Sequence, residues 1–325
     1  MKRVRYTLID GLVATALTSI VILGLISSTG ADETEPATFS TPKAAAEALV
    51  NAASQKDSSA IAAILGPGTK EWITSGDPVQ DRQARERFVS AFDTKRAIEI
   101  EGNKAILLVG PDRFPFPFPI VKKKGGWTFD AEQGREELFS RRIGANELNT
   151  VQVLKAIADA EREYATEDRD GDGLGAYASR FRSTEGKHDG LYWSTGKNEK
   201  PSPLGSLIAT ASGEGYVATR KPEDSQATGA YHGYHFKLLK GQGPDAPGGA
   251  YSYMVGDKMF GGFAVVAWPA KYGVSGIMTF MISHIGKVYE SNLGPETKSI
   301  VKNMDRFNPD KDWTEVDTEG DAPSD

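Results

Sequence analysis

The segment NELNTVQVLKAIADAEREYA, residues 146–165, decides the fold of the second half of the chain. Its apolar residues recur at helical spacing and form one broad stripe: Leu148, Val151, Val153, Leu154, Ile157, Ala160 and Tyr164. A stripe this broad predicts a helix that is buried along much of its length. Asn146 can cap the first turn, and Glu147 then lies at the positive end of the helix dipole.

A shorter helix is predicted immediately upstream, from about Ala131 to Arg142. Downstream, five segments with strand-like alternation are separated by Gly-rich turns. They are YHGYHFKLL (231–239), AYSYMV (250–255), FGGFAVVAWPA (260–270), IMTFMIS (277–283) and KVYESNL (287–293). One long helix laid on an antiparallel meander predicts an α+β fold.

The first half begins with helical signals and ends with strands. Thr41 and Asp57 are predicted helix caps, and DRQARERFVSAFDTK (81–95) has a helical apolar stripe,. Strands are predicted for RAIEIEG (96–102) and NKAILLVG (103–110), followed by a hairpin in FPIVKKKGGWTFD (118–130),.

The order of these elements resembles two known folds. Helices leading into a curved antiparallel sheet resemble the nuclear-transport-factor-2-like domains. The residues 145–165, with GYHFKLL, FAVVAWPAKYGVSGIMTF and GKVYES, resemble the globular domain of type II secretion pseudopilins and related prepilin-like proteins. Both resemblances imply an α+β fold.

The chain as a whole resembles an uncharacterised exported bacterial family, domain of unknown function 2950. The matching stretches follow in order from Phe39 to Trp313: SGDPVQDRQARERFV, GWTFDAEQGREEL, RRIGANEL, DGLYW, PSPLG, YHGYHFKLL and YGVSGIMTF. This resemblance implies no activity.

Five segments are expected along the chain. They are a signal peptide or membrane anchor (1–31), a tether (32–40), an N-terminal α+β domain (41–142), a pseudopilin-like α+β domain (143–313) and a disordered acidic tail (314–325).

The N-terminus predicts export. Lys2, Arg3 and Arg5 precede an uncharged run from residue 11 to residue 31, which is typical of a signal peptide cleaved before Asp32,. The run is also long enough for an uncleaved anchor. YTLIDGLVATALTSIVILGLIS (6–27) resembles the head of type IV prepilins, although Arg5 stands where the prepilin peptidase requires glycine. The protein is therefore expected in the periplasm, or anchored in the inner membrane and facing the periplasm.

The stretch TEDRDGDGLGAY (166–177) predicts a calcium site. An EF-hand-type loop has acidic ligands at positions 1, 3 and 5, glycine at 6, a carbonyl at 7 and a bidentate Glu at 12. The expected ligands are Asp168, Asp170, Asp172, the carbonyl of Leu174 and, at position 12, Ser179 in place of Glu. The alternative interpretation is a solvated Asp/Gly turn.

The histidines and aromatic residues are weaker signals. His232 and His235 are expected on opposite faces of one strand, which disfavours a metal pair. His188 and Asp189 lack a serine in a nucleophile-elbow context, so no catalytic residue is assigned. Core packing is the expected role of the aromatic residues at 231, 234, 251, 253, 260, 263 and 268, although an exposed face would bind glycan or protein.

Composition narrows the possible functions. The chain has 325 residues, a net charge of −6 and no cysteine, which excludes disulfides and thiolate chemistry,. No basic block is large enough for nucleic acid, and membrane contact is expected only through the N-terminal segment. The leading hypothesis is a non-enzymatic envelope module that binds or assembles with an envelope protein or glycan. The alternatives are an envelope enzyme with a cleft between the domains, and a pilus or secretion-system component.

We expect mass spectrometry of the exported protein to show a start near Asp32, because the small residues Thr29 and Ala31 precede that position,. An intact Met1 in the membrane fraction would support the anchor instead, and a start at Tyr6 would support the prepilin alternative.

Overall fold

The computed structural model describes residues 36–66, 68–169, 173–196, 198–216 and 229–317. Within these residues helices combine with mainly antiparallel sheets, so the α+β prediction is confirmed. No helix in the described ranges has the length and apolar character needed to cross a bilayer. The predicted signal segment, 1–31, lies outside the described residues.

The first helices begin at caps that the sequence predicts. They are α1 (Pro42–Ser54), α2 (Ser58–Leu65), α3 (Thr69–Trp72) and α4 (Pro78–Thr94). The Thr41 hydroxyl accepts a hydrogen bond from Ala44 N at 3.1 Å. Asp57 caps α2 through Ser59 N and Ala60 N,.

The first sheet contains β1 (Arg96–Glu101), β2 (Lys104–Val109), β3 (Phe114–Pro115), β4 (Ile120–Lys123) and β5 (Gly126–Phe129). Its order is β1-β2-β4-β5, with β3 also paired to β2. Leu49 of α1 packs in one cluster with Ile120 and Phe129, and all three are buried. The tether predicted at 32–40 is too long, because Phe39 exchanges two 2.7 Å backbone hydrogen bonds with Trp127 and packs on this core.

A single helix, α5 (Ala131–Ala165), replaces the two helices predicted around it. The boundary predicted between residues 142 and 143 therefore lies inside a helix, and the described residues all belong to one compact unit, Thr34–Asp325. The prediction that Asn146 caps a new helix is wrong. Gly144 costs a helix only about 1 kcal/mol relative to Ala, which is too little to end one that is packed at both ends.

The second half contains further short elements and one large sheet. They are α6 (Gly205–Gly213), β6 (Tyr234–Leu239), β7 (Gly241–Gln242), β8 (Tyr251–Ser252), β9 (Met254–Val255), β10 (Lys258–Met259), β11 (Ala264–Pro269), β12 (Thr279–Ser283), β13 (Val288–Ser291), α7 (Thr297–Asn303), β14 (Arg306–Phe307) and β15 (Thr314–Glu315). The large sheet has the antiparallel order β15-β13-β12-β11-β6. Every residue of β11 and β12 is buried, and α5 packs on both strands.

The predicted tail, 314–325, begins too early. Thr314 and Glu315 form β15, which pairs with β13, and Glu315 accepts a 2.8 Å hydrogen bond from Lys287. Val316 packs against the main core, and this contact explains why the chain stays ordered past Trp313,. Residues 318–325 lie outside the described residues.

One carboxyl group is sealed inside this core. Glu161 of α5 is 0% exposed, and its Oε2 accepts one hydrogen bond, from Ala178 N at 2.9 Å. Its Oε1 is buried without a hydrogen-bond partner among the described residues. Burial therefore raises the pKa of Glu161 well above its ordinary value of 4.5,.

Gly144→Ala should raise the free energy of unfolding by about 0.5–1 kcal/mol, because alanine is the better residue inside an uninterrupted helix and its Cβ meets nothing within 4 Å,. Gly134→Ala in the same helix is the matched control. It should destabilise the protein, since its Cβ would lie 1.9 Å from Phe118. Urea unfolding of both variants measures the effect. A loss of stability in Gly144→Ala would mean that the helix is broken at this residue.

Glu161→Gln should remove a pH dependence of stability. The protonated folded state gives Glu161 its full stabilising contribution below pH 4.5, and that contribution is lost as the pH rises toward the raised folded pKa,. The slope is at most about 1.4 kcal/mol per pH unit. Chemical unfolding between acidic and neutral pH should show the slope in the wild type and in the exposed control Glu163→Gln, but not in Glu161→Gln. An equal slope in all three proteins would contradict the assignment.

Candidate ligand-binding cleft

A cleft of about 630 Å³ opens where α5 ends. The end of the helix, the loop after it and the β9–β10 hairpin all contribute to its walls. The lining residues are Tyr164, Glu167, Arg169, Leu174, Ala176, Tyr177, Ser179, Arg180, Gly186, Lys187, His188, Asp189, Asp257, Lys258 and Met259. The volume falls within the range of about 300–1,000 Å³ that is usual for ligand pockets, and the walls carry more charged side chains than most such pockets.

The described part of the predicted calcium loop lies at this cleft. Asp168 accepts a 2.8 Å hydrogen bond from Gly173 N, and Gly173 has a φ of +86°, the left-handed conformation of a sharp turn,. Leu174 and Ser179 both line the cleft. Asp170 and Asp172 lie outside the described residues. In the part of the chain that is described, no three acidic or histidine side chains are grouped as a metal site.

Arg169, inside the same loop, is held in the wall of the cleft by several contacts. Its guanidinium lies 4.8 Å from the ring centre of Tyr164 and 5.1 Å from that of Trp193. Its Nε donates to the carbonyl of Tyr164 at 3.2 Å, and its Nη1 lies 3.1 Å from Glu167 Oε2. The side chain is only 9% exposed. Two cation–π contacts and an ion pair therefore fix this cation in one position.

Glu167 is held as a carboxylate by two cations. Lys200 donates a hydrogen bond to its Oε1, and Arg169 pairs with its Oε2. The hydrogen bond from Lys200, followed by the charge of Arg169, lowers the pKa of Glu167.

Asp189 is fixed in a similar way on another wall of the cleft. Burial alone would raise its pKa. Hydrogen bonds from Thr184 N at 2.7 Å and Thr184 Oγ1 at 2.8 Å, with the charge of Arg180, outweigh burial and lower the pKa. Asp189 is therefore an ionised group in which each oxygen already accepts a hydrogen bond,.

Aromatic contacts order the chain around these charges. His188 stacks on Trp193 at 4.3 Å with an interplanar angle of 22°, and its carbonyl accepts a 2.7 Å hydrogen bond from the Tyr164 hydroxyl. On the hairpin side, Tyr177 N donates to the carbonyl of Met259 at 2.8 Å. The next residue, Ala178, donates a backbone hydrogen bond to the buried carboxyl of Glu161.

One apolar side chain that lines the cleft remains exposed. It is Leu174, with 57% of its surface accessible to solvent. Most of the aromatic residues considered in the sequence are core residues, as expected: Tyr234, Tyr253, Phe263 and Trp268 are buried.

A second polar cluster, missed in the sequence, joins the two halves of the unit. Asp77 Oδ2 accepts hydrogen bonds from the Tyr216 hydroxyl at 2.8 Å and from Gly233 N at 3.0 Å. Glu214 Oε2 lies 3.4 Å from His232 Nε2. The strand predicted for 231–239 starts only at Tyr234, because His232 has a φ of +49° and forms a tight turn. These partners are too distant in sequence for any local pattern to reveal them.

Comparison with family models gives one match, a family described as "Protein of unknown function (DUF2950)", over residues 36–316. Neither the curated proteins nor the solved structures contain a match to the chain. The matched range includes every described residue of the cleft. The chain therefore belongs to the DUF2950 family.

Proposed function

We propose that this protein is an exported cell-envelope protein that binds an envelope ligand, a protein or a glycan, in the cleft. The carrying observation is the cleft itself, where a fixed cation, aromatic rings and the exposed side chain of Leu174 surround a volume of about 630 Å³. Such a combination gives a ligand both apolar contact area and polar groups that set its orientation.

The charges of the cleft support binding more than catalysis. A general acid at neutral pH needs a raised pKa, whereas the pKa values of Glu167 and Asp189 are both lowered,. Both carboxylates also accept hydrogen bonds from neighbouring side chains. Rigid, ionised groups of this kind orient a ligand without exchanging protons with it.

Calcium is part of the proposal, as a structural ion in the loop 168–174. The turn at Gly173 and the position of Asp168 fit positions 6 and 1 of the EF-hand pattern,. In that arrangement Asp170, Asp172, the carbonyl of Leu174 and water or Ser179 would complete the coordination. The ion would then fix the wall of the cleft that carries Arg169.

The compartment and the finer fold relations also belong to the proposal. Export rests on residues 1–31, and the absence of cysteine is compatible with either side of the membrane. The packing of α5 on the β6–β13 region supports the pseudopilin-like comparison, and the helices before β1 support the nuclear-transport-factor-2-like comparison. A shared fold would not by itself transfer an activity.

Filling the cleft should abolish binding. Ala176→Trp places a large ring among the lining residues, so we expect this variant to stay in solution when isolated envelope fragments of the producing organism are sedimented. The wild type and Ala209→Trp, at an exposed position of α6, should sediment with the fragments. Equal sedimentation of Ala176→Trp and the wild type would place the ligand elsewhere.

Calcium should raise the melting temperature of the wild type. With about 1 mM calcium and a dissociation constant of roughly 0.1 mM, the linked stabilisation is about 1.4 kcal/mol, or a few degrees. Magnesium should have a smaller effect, because the loop lacks its octahedral geometry.

Two variants distinguish the effect of calcium binding from the effect of the turn at Gly173. Asp170→Ala should lose the calcium response without unfolding. Asp168→Asn should also lose it while still accepting the hydrogen bond from Gly173 N. Identical melting curves of the wild type in calcium and in excess chelator would leave the loop as a solvated turn.

A further inference from the structure

Arg169 has one hydrogen-bond donor that the described residues leave without an acceptor. Its Nε and Nη1 are engaged by the Tyr164 carbonyl and by Glu167, but Nη2 is buried without a partner. A buried unsatisfied donor costs about 1–3 kcal/mol, and more when it is charged. Because Arg169 lies in the wall of a cleft, a bound ligand could supply the acceptor that this donor lacks.

Glu167, the carboxylate that pairs with Arg169, does not bond Nη2. Glu167 uses Oε1 for Lys200 and Oε2 for Arg169 Nη1. The guanidinium cannot turn toward a different partner either, because Tyr164 and Trp193 both contact its faces. The position of Nη2 is therefore fixed, so a ligand that reaches it does not have to order the Arg169 side chain.

A second cation lies in the same cleft. Lys187 is exposed, lines the cleft and forms no ion pair within the described part of the chain. Arg180, by contrast, already bonds the Thr184 hydroxyl at 3.0 Å and faces Asp189 at 3.7 Å. Of these two cations, Lys187 is the more available to a charged ligand.

The acidic residues of the cleft limit the charge of that ligand. Glu167, Asp189 and Asp257 also line it, and they would repel a dianion such as a phosphate monoester more strongly than a monoanion,. The exposed side chain of Leu174 provides apolar contact beside the charges.

We propose that the cleft binds a ligand through a carboxylate, which accepts a hydrogen bond from Arg169 Nη2 while Lys187 provides the second positive charge. This inference rests on the proposed binding function and specifies its ligand. The carboxylate can belong to the C-terminus of a peptide or to a uronic acid of a glycan. Nη2 is covered in this conformation, so the ligand must displace the side chains that cover it.

Isothermal titration calorimetry with four small probes tests the proposal. The probes are N-acetyl-dialanine with a free carboxylate, its C-terminal amide, digalacturonate, and the neutral disaccharide N,N′-diacetylchitobiose. We expect the wild type to bind a carboxylate probe and to bind the amide at least ten-fold more weakly. Which of the two carboxylates binds identifies a peptide or a glycan as the source.

Variants test which residues of the cleft bind the carboxylate of the probe. Arg169→Gln should weaken binding of the carboxylate probe by roughly ten- to a hundred-fold, as expected for a charged hydrogen bond. Arg182→Gln is the control, since Arg182 also lies over a ring, that of Tyr192 at 5.5 Å, but does not line the cleft. Lys187→Gln, at an exposed position, should weaken binding several-fold and keeps the test decisive if Arg169→Gln does not fold.

The results separate this inference from the proposed function. Equal binding of the acid and the amide, or binding of chitobiose alone, overturns the inference and leaves the binding function in place. Wild-type protein that binds no probe but still sediments with envelope fragments also overturns the inference alone. Failure of the wild type to sediment with those fragments overturns the proposed function.

Discussion

The backbone hydrogen bonds of α5 run without a break from Ala131 to Ala165, and both sheets depend on this continuity. Its first turns pack on the core of the first sheet, where Gly134 lies against Phe118 and Leu138 contacts the same cluster. The helix also packs on β11 and β12, and its apolar residues from Val151 to Tyr164 belong to that second core. Because one rigid helix serves both cores, the position of the cleft at Tyr164 is fixed relative to elements that precede it by more than a hundred residues.

Polar contacts reinforce this junction at the middle of the helix. Asn146 donates to the carbonyl of Ser275 at 2.8 Å and accepts from Gln80 Nε2 at 2.6 Å, so α4, α5 and the chain before β12 meet at one buried amide. Asp77 adds Tyr216 and Gly233 to the same region. The amide of Asn146 uses its hydrogen bonds to connect three parts of the fold. It therefore stabilises the interior of the helix junction and does not cap a helix end, which explains why the cap prediction failed.

Sequence patterns correctly predicted the structural features that depend only on residues close in sequence. The caps at Thr41 and Asp57 and the neighbouring strands β1 and β2 depend on residues close in sequence, and the structure confirms them. The helix break near Gly144 was predicted wrongly, because tertiary packing outweighs the small helix penalty of glycine. The sequence likewise indicated a polar loop at 168–174 but not the role of Arg169. Its position depends on Trp193, which lies twenty-four residues further along the chain.

The sealed carboxyl of Glu161 makes folding a proton-uptake reaction. Between its ordinary pKa of 4.5 and its raised folded value, each chain that folds takes a proton from the solvent, since the unfolded carboxyl is ionised and the folded one is not,. The measured heat of folding therefore includes the ionisation heat of whichever buffer supplies that proton. Two buffers of equal pH but different ionisation enthalpy would give different apparent folding enthalpies for the same structural change.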